Sequence, residues 1–186
     1  LFRYFKNKKI DLIIHLAGQA GVRYSFLNPK KYINNNIIGF LNIVFSAKKY
    51  NIKKIIYASS SSVYGEPKRK YLNENHSRNP VSFYGFTKLQ VEEILHWYSK
   101  TTKLRFVSLR YFNAAGYDLF NRINIPEKNS QNLIPKIMEV LVGNKQSLNV
   151  FGSNYNTKDG TCVRDFIHVV DIANAHIESL NYLKNS

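Results

Sequence analysis

The chain has 186 residues, 44% of them hydrophobic, so it is long enough to bury a core as one domain, or as one domain with part of another. Its formal net charge of +15 comes from lysines scattered along the chain, not from one basic stripe, which argues against a nucleic-acid partner. No apolar run is long enough to span a bilayer, and the single cysteine, Cys162, excludes an internal disulfide and fits a reducing cytoplasm.

The first segment with a clear structural signal is residues 10–17, IDLIIHLA, a short continuous apolar run typical of a central parallel strand. Gly18 and Gly21 follow it and would let the backbone approach a ligand closely. Residues 1–9, LFRYFKNKK, are typical of the end of a helix, and no Met precedes them. We therefore expect the chain to be a piece of a longer protein.

Residues 29–50 are predicted to form a helix, because Pro29 follows Asn28 at a typical helix start and apolar residues then recur at helical spacing. Three asparagines, residues 34–36, interrupt this pattern with poor helix formers. A run of surface asparagines is the simplest interpretation, and one asparagine that faces a ligand is the alternative.

The next strand and helix predict a meeting of three polar side chains. Residues 54–60 form a β-branched and aromatic run that ends in serines, as expected of a buried strand that delivers polar side chains to a sheet edge. After a polar loop, residues 80–100 have the pattern of a helix, on which Tyr84 and Lys88 are four residues apart and share one face. The hydroxyl of Ser60, this phenol and this ammonium can together move a proton on and off a sugar or alcohol oxygen.

The spacing of Tyr84 and Lys88 is not specific by itself, because Tyr-x-x-x-Lys also occurs at Tyr4, Tyr50 and Tyr64. Only the pair at Tyr84 follows a serine-bearing strand end after one loop and opens a long amphipathic segment. An ordinary solvated pair on a helix is the alternative interpretation.

Residues 105–111 predict a third strand and complete the order strand, helix, strand, helix, strand. This order indicates a parallel α/β sheet that binds ligands at the carboxyl ends of its strands. Three candidate segments, 17–21, 59–62 and 111–116, all lie at such ends. Their convergence is more informative than any one motif.

A second, smaller lobe is predicted from residue 117. Its elements are a polar loop over 117–131, a helix over 132–142, a short strand over 148–151, a loop over 152–160 and a helix over 172–183. We therefore divide the chain into a first domain, 1–116, and a partial lobe, 117–186, with elements near 161–183 that return to the first domain.

Segments along nearly the whole chain resemble the UDP-glucose 4-epimerase group of the extended short-chain dehydrogenases/reductases, in the NAD-dependent epimerase/dehydratase family. They are HLAG, SSSSVYG, YGFTK, LRYFNAAG, QNLIPKI, FGSNYNTKDGT and VRDFIHVVDIA. The resemblance implies a Rossmann-like doubly wound parallel sheet with part of a smaller substrate-binding lobe. The sheet is expected to be incomplete, because the Gly-rich dinucleotide fingerprint is absent from this sequence.

The resemblance also implies roles for individual residues. Ser60, Tyr84 and Lys88 match the catalytic triad of the group. The residues that would line NAD are Leu16, Ala17, Gly18, Gln19, Ala20, Asn35, Tyr84, Lys88 and Phe112. The residues that would hold the nucleotide-sugar are Ser60, Ser61, Ser62, Asn113, Asn132, Leu133, Phe151 and Arg164. Arg164 would bind the diphosphate, because its fork pairs two phosphate oxygens. No His, Cys and Asp cluster has the spacing of a metal site.

The activity implied is reversible NAD-dependent inversion at C4 of a UDP-hexose, UDP-glucose and UDP-galactose before others, through a transient 4-keto sugar. Residues 19–25 are more similar to UDP-glucuronate 4-epimerases, in which Arg23 could pair a sugar carboxylate, and UDP-N-acetylglucosamine is a further alternative. The related 4,6-dehydratases carry an acid just after the catalytic hydroxyl, where this chain has Ser61 and Ser62, so dehydration is disfavoured.

Partners and location follow from the same resemblance. A homodimer through helices 29–50 and 80–100 and a cytoplasmic location are expected, with no nucleic acid and no membrane as partner. A non-catalytic, NAD-sensing or basic binding protein of the same fold is the alternative of another class.

Several of these residues also have purely structural interpretations. Ser60 could merely terminate its strand, and Arg164 could form a salt bridge with Asp165. His15 and His168 are interpreted as interior histidines whose hydrogen bonds are satisfied, not as ligands.

Overall fold

The computed structural model describes residues 2–67, 69, 71–123 and 130–185. The chain divides into two compact units, the first of residues 1–112 with 173–186 and the second of residues 113–172. The boundary falls after residue 112 and not after the predicted 116, because residues 113–115 form a strand that pairs within the second unit.

The first unit contains a three-stranded parallel sheet in the order β1-β2-β3. The strands are β1 (Ile13–His15), β2 (Lys54–Ser60) and β3 (Arg105–Tyr111). The predicted bounds of β2 and β3 are those observed, whereas β1 is shorter than the predicted 10–17. The parallel register, with Ile13 opposite Ile55, confirms the predicted α/β sheet.

Between β1 and β2 the chain is helical for most of its length. The elements are α2 (Val22–Leu27), α3 (Pro29–Tyr32), a π-helical segment (Ile33–Ile38) and α4 (Gly39–Lys49), and a short helix, α1 (Phe2–Lys6), precedes β1. The predicted helix over 29–50 is present, but its asparagine run adopts the wider π geometry. Short π-helical turns occur mostly as interruptions within α-helices. Helix α2 was not predicted.

Helix α5 (Phe83–Thr101) begins three residues after the predicted start at Pro80. Ser82 is the N-cap, and its side chain accepts a hydrogen bond from the backbone N–H of Gly85 at 3.0 Å. A capping hydroxyl satisfies one of the amides that the first helical turn leaves unpaired. Pro80 therefore lies before the cap.

The core lies between the sheet and helices α4 and α5. Helix α4 contributes Phe40 and Val44, and α5 contributes Val91 and Leu95, all at most 1% exposed. Ile55 and Tyr57, which alternate along β2, point to the same face and complete the cluster. Because Lys88 and Glu92 share this inward face of α5 at helical spacing, polar groups enter the core beside apolar ones.

Helix α7 (Val169–Asn185) has its C-terminal part in the first unit, where it contacts β3. Arg105 donates a 2.8 Å hydrogen bond from Nη2 to the carbonyl of Leu183. The Tyr111 hydroxyl and Nε2 of His176 are 2.7 Å apart. No helix in the described part of the chain combines the length and apolar character that crossing a membrane requires.

The second unit contains helix α6 (Leu133–Leu141) and a parallel pair of short strands, β4 (Asn113–Ala115) and β5 (Phe166–His168). Helix α6 agrees with the predicted 132–142. The predicted strand over 148–151 is wrong, since these residues are irregular and exposed. The predicted loop over 117–131 lies partly outside the described residues, at 124–129.

The close approach of α5 to the end of β2 depends on Gly85. A Cβ at this position would overlap the backbone carbonyl of Ser62, whereas a Cβ at Gly39, also helical, would lie 3.5 Å from the nearest atom, an ordinary contact. We expect Gly85→Ala to lower the free energy of unfolding of the full-length protein by about 2–3 kcal/mol. Gly39→Ala should be neutral or stabilise by up to about 1 kcal/mol. Urea unfolding measures both, and equal stability of the two variants would contradict this packing.

Candidate active site

The end of β2 turns sharply and presents its serines. Ser60 has extended backbone angles and is the cap of a 3-10 turn, Ser61–Val63, with its hydroxyl oxygen 3.2 Å from the N–H of Ser62. Ser60 therefore does terminate its strand, which is the structural role considered from the sequence. It uses only the oxygen as acceptor, so the hydroxyl proton is left to donate elsewhere.

Helix α5 brings Tyr84 and Lys88 to the same place. The backbone N–H of Tyr84 donates to Oγ of Ser25 at 3.1 Å, which fastens the start of α5 to α2. Lys88 Nζ donates to the carbonyl of Ala58 at 2.8 Å and lies 5.7 Å from the centroid of the Tyr84 ring. The fold therefore gathers the strand end, the phenol and the ammonium at the carboxyl edge of the sheet.

Burial and neighbours set the protonation of these groups. Burial lowers the pKa of Lys88 to about 8, so most molecules still carry the ammonium charge at pH 7. Burial raises the pKa of the Tyr84 phenol, and a hydrogen-bond interaction with the Ser60 hydroxyl lowers it. Ser60 thus acts on the phenol in the direction that proton abstraction requires.

The loop after β1 is held by two side chains of the helix behind it. Asn36, which is 3% exposed, accepts from the N–H of Gln19 at 2.7 Å and donates to its carbonyl at 3.1 Å and to Thr87 Oγ1 at 3.0 Å. The buried Tyr32 hydroxyl lies 2.5 Å from the carbonyl of Ala20 and 2.6 Å from that of Gly21. These bonds fix the loop next to α5.

Among the three asparagines, the inward one is Asn36, whereas the predicted cofactor residue Asn35 is exposed and makes no such contact. Sequence reasoning missed Asn36, although its position four residues after Tyr32 places the two side chains on one helical face. The other predicted cofactor residues, Leu16, Ala17, Gly18, Gln19, Ala20 and Phe112, lie at the carboxyl ends of β1 and β3 with all but Gln19 exposed.

Gly18 leaves a cradle beside the catalytic candidates. A Cβ at this position would lie 3.2 Å from Oδ1 of Asn36 and 3.6 Å from Nζ of Lys88. Without a Cβ, the exposed backbone of Gly18 can therefore lie close to Asn36 and to the Lys88 ammonium. The exposed loop backbone, the cation and the phenol fit the polar groups of a dinucleotide cofactor such as NAD.

His15 lies beneath Lys88 in an apolar setting. Its ring is 5.0 Å from that of Phe40 and 6.0 Å from that of Tyr57. Burial, and then the charge of Lys88, lower the pKa of His15 to about 4. The expectation that the hydrogen bonds of His15 are satisfied is wrong, since its buried Nδ1 has no partner among the described residues.

A buried ionic network lies next to Ser60 and was not predicted. Glu92, 3% exposed, accepts from Ser59 Oγ at 2.5 Å and from Arg110 Nη2 at 2.7 Å. Arg78 contacts the same carboxylate at 3.5 Å, and Arg110 also donates to the Tyr64 hydroxyl at 2.9 Å. The sequence did contain one signal for this network: Glu92 is an acidic residue on the apolar face of α5, one turn after Lys88.

The predicted nucleotide-sugar residues of the second unit are exposed. They are Asn113, Asn132, Leu133, Phe151 and Arg164. Arg164 Nη1 donates to the carbonyl of Val163 at 2.9 Å, and within the described residues no ion pair joins Arg164 to Asp165. Asn132 precedes α6 without a side-chain capping bond. Both side chains thus present polar groups to solvent.

His168 has a local structural role. Its Nδ1 accepts from the backbone N–H of Val170 at 3.2 Å, in the first turn of α7, and its ring lies where a Cβ of Gly116 would be. This agrees with the interpretation of His168 as a satisfied interior histidine. Among the residues described, no group of three or more His, Cys, Asp or Glu side chains is arranged to hold a metal ion.

A parallel sheet with crossover helices and a ligand cradle at the strand ends defines a Rossmann-like nucleotide-binding protein. Residues 1–186 match the NAD dependent epimerase/dehydratase family, and the chain belongs to this family. The UDP-glucose 4-epimerase of Lacticaseibacillus casei is 40% identical over 183 residues, which are 98% of this chain and 55% of that protein.

Solved structures agree with this assignment. The UDP-glucose 4-epimerase of Brucella ovis in complex with NAD is 36% identical with a TM-score of 0.93, over 99% of this chain and 57% of that one. The UDP-glucuronic acid 4-epimerase of Bacillus cereus, in complex with UDP-glucuronic acid and NAD, is 30% identical with a TM-score of 0.79, over 96% and 51%. The chain thus spans about half the length of these relatives.

The buried His15 predicts a loss of stability in acid. An unfolded histidine titrates near pKa 6.5, above the folded value of about 4, so acidification between these values protonates the unfolded chain first and favours it. We expect the full-length protein to lose about 2 kcal/mol more than its His15→Phe variant between pH 7 and pH 4. Urea unfolding at each pH measures this, with His96→Phe, at an exposed histidine, as control. Parallel pH curves for protein and His15→Phe would refute the assignment.

Proposed function

We propose that this chain forms the catalytic half of an NAD-dependent enzyme that inverts C4 of a UDP-hexose, UDP-glucose and UDP-galactose before others. One observation carries the proposal: Ser60, Tyr84 and Lys88, from separate segments, meet at the end of β2, and the Lys88 ammonium lies next to Gly18. A proton acceptor, a hydroxyl relay and a cation gathered at one strand end are what reversible oxidation of a carbinol requires.

In the proposed mechanism, Tyr84 as phenolate removes the proton from the 4-hydroxyl of the sugar. Burial opposes this ionisation, because it raises the pKa of Tyr84. The Lys88 charge, 5.7 Å from the ring, favours the anion, and the Ser60 hydroxyl acts in the same direction. Ser60 also hydrogen-bonds the reacting oxygen and relays its proton.

NAD, when bound, would supply the reversible hydride transfer at C4 that this inversion needs. The residues that would hold it are the loop residues 16–20, Asn35, Tyr84, Lys88 and Phe112. The chain's own part is to keep the loop ordered through Asn36 and Tyr32 and to exclude water with the buried rings around Lys88.

For the nucleotide-sugar the proposal keeps the residues that the resemblance implies, taken in each unit by itself. Ser60, Ser61 and Ser62 would contact the sugar, and Asn113, Asn132, Leu133 and Phe151 the nucleotide. Arg164, exposed and bonded only to a neighbouring carbonyl in the contacts described, would take the diphosphate.

A homodimer through residues 29–50 and 80–100 is part of the proposal. Exposed apolar side chains on these helices support it, among them Ile38, Phe45, Phe86 and Trp97 at 41–63% exposure. A cytoplasmic location remains a prediction from the sequence.

The catalytic assignment predicts that Tyr84→Phe lowers kcat of the full-length protein by about 10²–10⁴-fold, because the phenol is the base. Tyr50→Phe is a matched control, since Tyr50 has the same spacing to Lys54 but lies at the end of α4, among core residues. The measurement is conversion of UDP-galactose to UDP-glucose. Equal activity of the two variants would remove Tyr84 from the mechanism.

The substrate is identified by incubating the full-length protein with UDP-glucose, UDP-glucuronate and UDP-N-acetylglucosamine and identifying the products. We expect epimerisation of UDP-glucose without net accumulation of NADH. Preferred turnover of UDP-glucuronate would instead assign Arg23 to a sugar carboxylate. No turnover of any of the three, with NAD bound, would favour a non-catalytic NAD-binding protein.

A further inference from the structure

Glu92 lies at a position on α5 where its neighbours are apolar, yet it is almost fully buried and charged. Val91 and Leu95, on either side of it along the helix, are 0% exposed. A carboxylate in such a place is stable only if positive groups and hydrogen-bond donors surround it. Arg110 supplies donors from Nε at 3.0 Å and from Nη2 at 2.7 Å, and Arg78 adds a second cation at 3.5 Å.

The contacts of Glu92 converge on the strand end that carries Ser60. In the parallel register, Ser59 of β2 lies opposite Arg110 of β3, and Glu92 accepts hydrogen bonds from both. The bond from Ser59 is 2.5 Å long, the length of a charge-assisted O–H to carboxylate bond. Because Ser59 immediately precedes Ser60, this bond fixes the backbone on one side of the catalytic candidate.

The same network fixes the other side of Ser60. Arg110 donates from Nη1 to the hydroxyl of Tyr64 at 2.9 Å, and its guanidinium carbon lies 4.9 Å from the centre of that ring. Tyr64 ends the 3-10 turn that begins after Ser60. Ser60 therefore sits in a short turn that one ion pair anchors at both ends.

Stability does not explain this arrangement. A buried ion pair loses much of its attraction to desolvation, and apolar residues of similar volume often stabilise a core as well or better. What an apolar cluster lacks is directional bonding. A forked guanidinium and a carboxylate specify distances and angles, which matter most where a hydroxyl must meet a reacting oxygen.

We propose that Glu92 is a positioning residue for Ser60, which together with Arg110 fixes the serine turn and so sets where the Ser60 hydroxyl meets the Tyr84 phenol. The inference rests on the proposed function for the catalytic role of Ser60, whereas the anchoring of the turn stands independently of it.

Ser59→Ala is the sharpest test, because it removes the link to the strand and leaves every charge in place. In the full-length protein we expect kcat for UDP-galactose to fall about tenfold, with KM changed less than about twofold. Ser108→Ala is the matched control. Ser108 is on neighbouring β3, and its buried hydroxyl has no hydrogen-bond partner among the described residues. This control should behave as the unmodified protein.

The pH dependence of kcat separates positioning from a general loss of structure. Ser60 lowers the pKa of Tyr84, so a displaced Ser60 should move the rising limb of the profile to higher pH in Ser59→Ala. The titratable groups that face the phenol, Lys88, Tyr32 and Tyr57, are unchanged in this variant, as is Glu92. The shift can therefore be assigned to the turn. A fall in kcat that only follows a lower melting temperature, with the limb unmoved, would overturn the proposal.

A readout independent of activity keeps the two proposals distinguishable. The Ser62 N–H donates to Ser60 Oγ, so its hydrogen exchange reports the order of the turn. We expect faster exchange at Ser62 in Ser59→Ala than in Ser108→Ala. Equal exchange and equal kinetics in the two variants would overturn the positioning role. An inactive unmodified protein with faster exchange in Ser59→Ala would overturn the proposed function and leave the anchoring intact.

Discussion

The hydrogen bond from the Lys88 ammonium to the carbonyl of Ala58 is the constraint on which the site depends. It joins α5 to β2 within two residues of Ser60, at 2.8 Å. A cation in this place loses hydration, and the rings of Tyr57 and Tyr84, at 5.0 and 5.7 Å from Nζ, replace part of it. The hydrogen bond to Ala58 therefore offsets the free-energy cost of burying Lys88. Because Tyr84 is on the same helix, this bond also holds the phenol near the strand end.

One helix face combines packing and chemistry. Lys88, Val91, Glu92 and Leu95 follow one another at helical spacing on the inward side of α5. The two apolar members supply the free energy of burial against β2, which is not directional. The two charged members form hydrogen bonds with Ala58 and Ser59, successive residues of the strand. These bonds are directional, so they fix the orientation of α5 on the strand. The rigidity of the site thus comes from the same elements as the core.

The sequence predicts most of the first unit because its central strand, β2, is buried on both faces, and β3 is half-buried along its length. β2 and β3 are short runs rich in β-branched and aromatic residues, bounded by polar segments, so their limits are predictable, as is the helical spacing of Tyr84 and Lys88. Residues 148–151 have a similar apolar pattern but are irregular and exposed, because strand formation depends on pairing, which is a tertiary property. The spacing of Asn36 from Tyr32 was a usable signal, whereas the partners of Glu92 come from 18 and 33 residues away along the chain and could not be predicted from local spacing.

The hydrogen bonds that hold the loop after β1 affect the entropy of ligand binding. Three successive carbonyls, those of Gln19, Ala20 and Gly21, accept hydrogen bonds from Asn36 and Tyr32. The backbone entropy of these residues is therefore lost when the chain folds, at about 1–2 kcal/mol each, and not when a ligand arrives. A molecule that settles on this loop meets a surface already in its bound shape, and more of its contact energy becomes affinity.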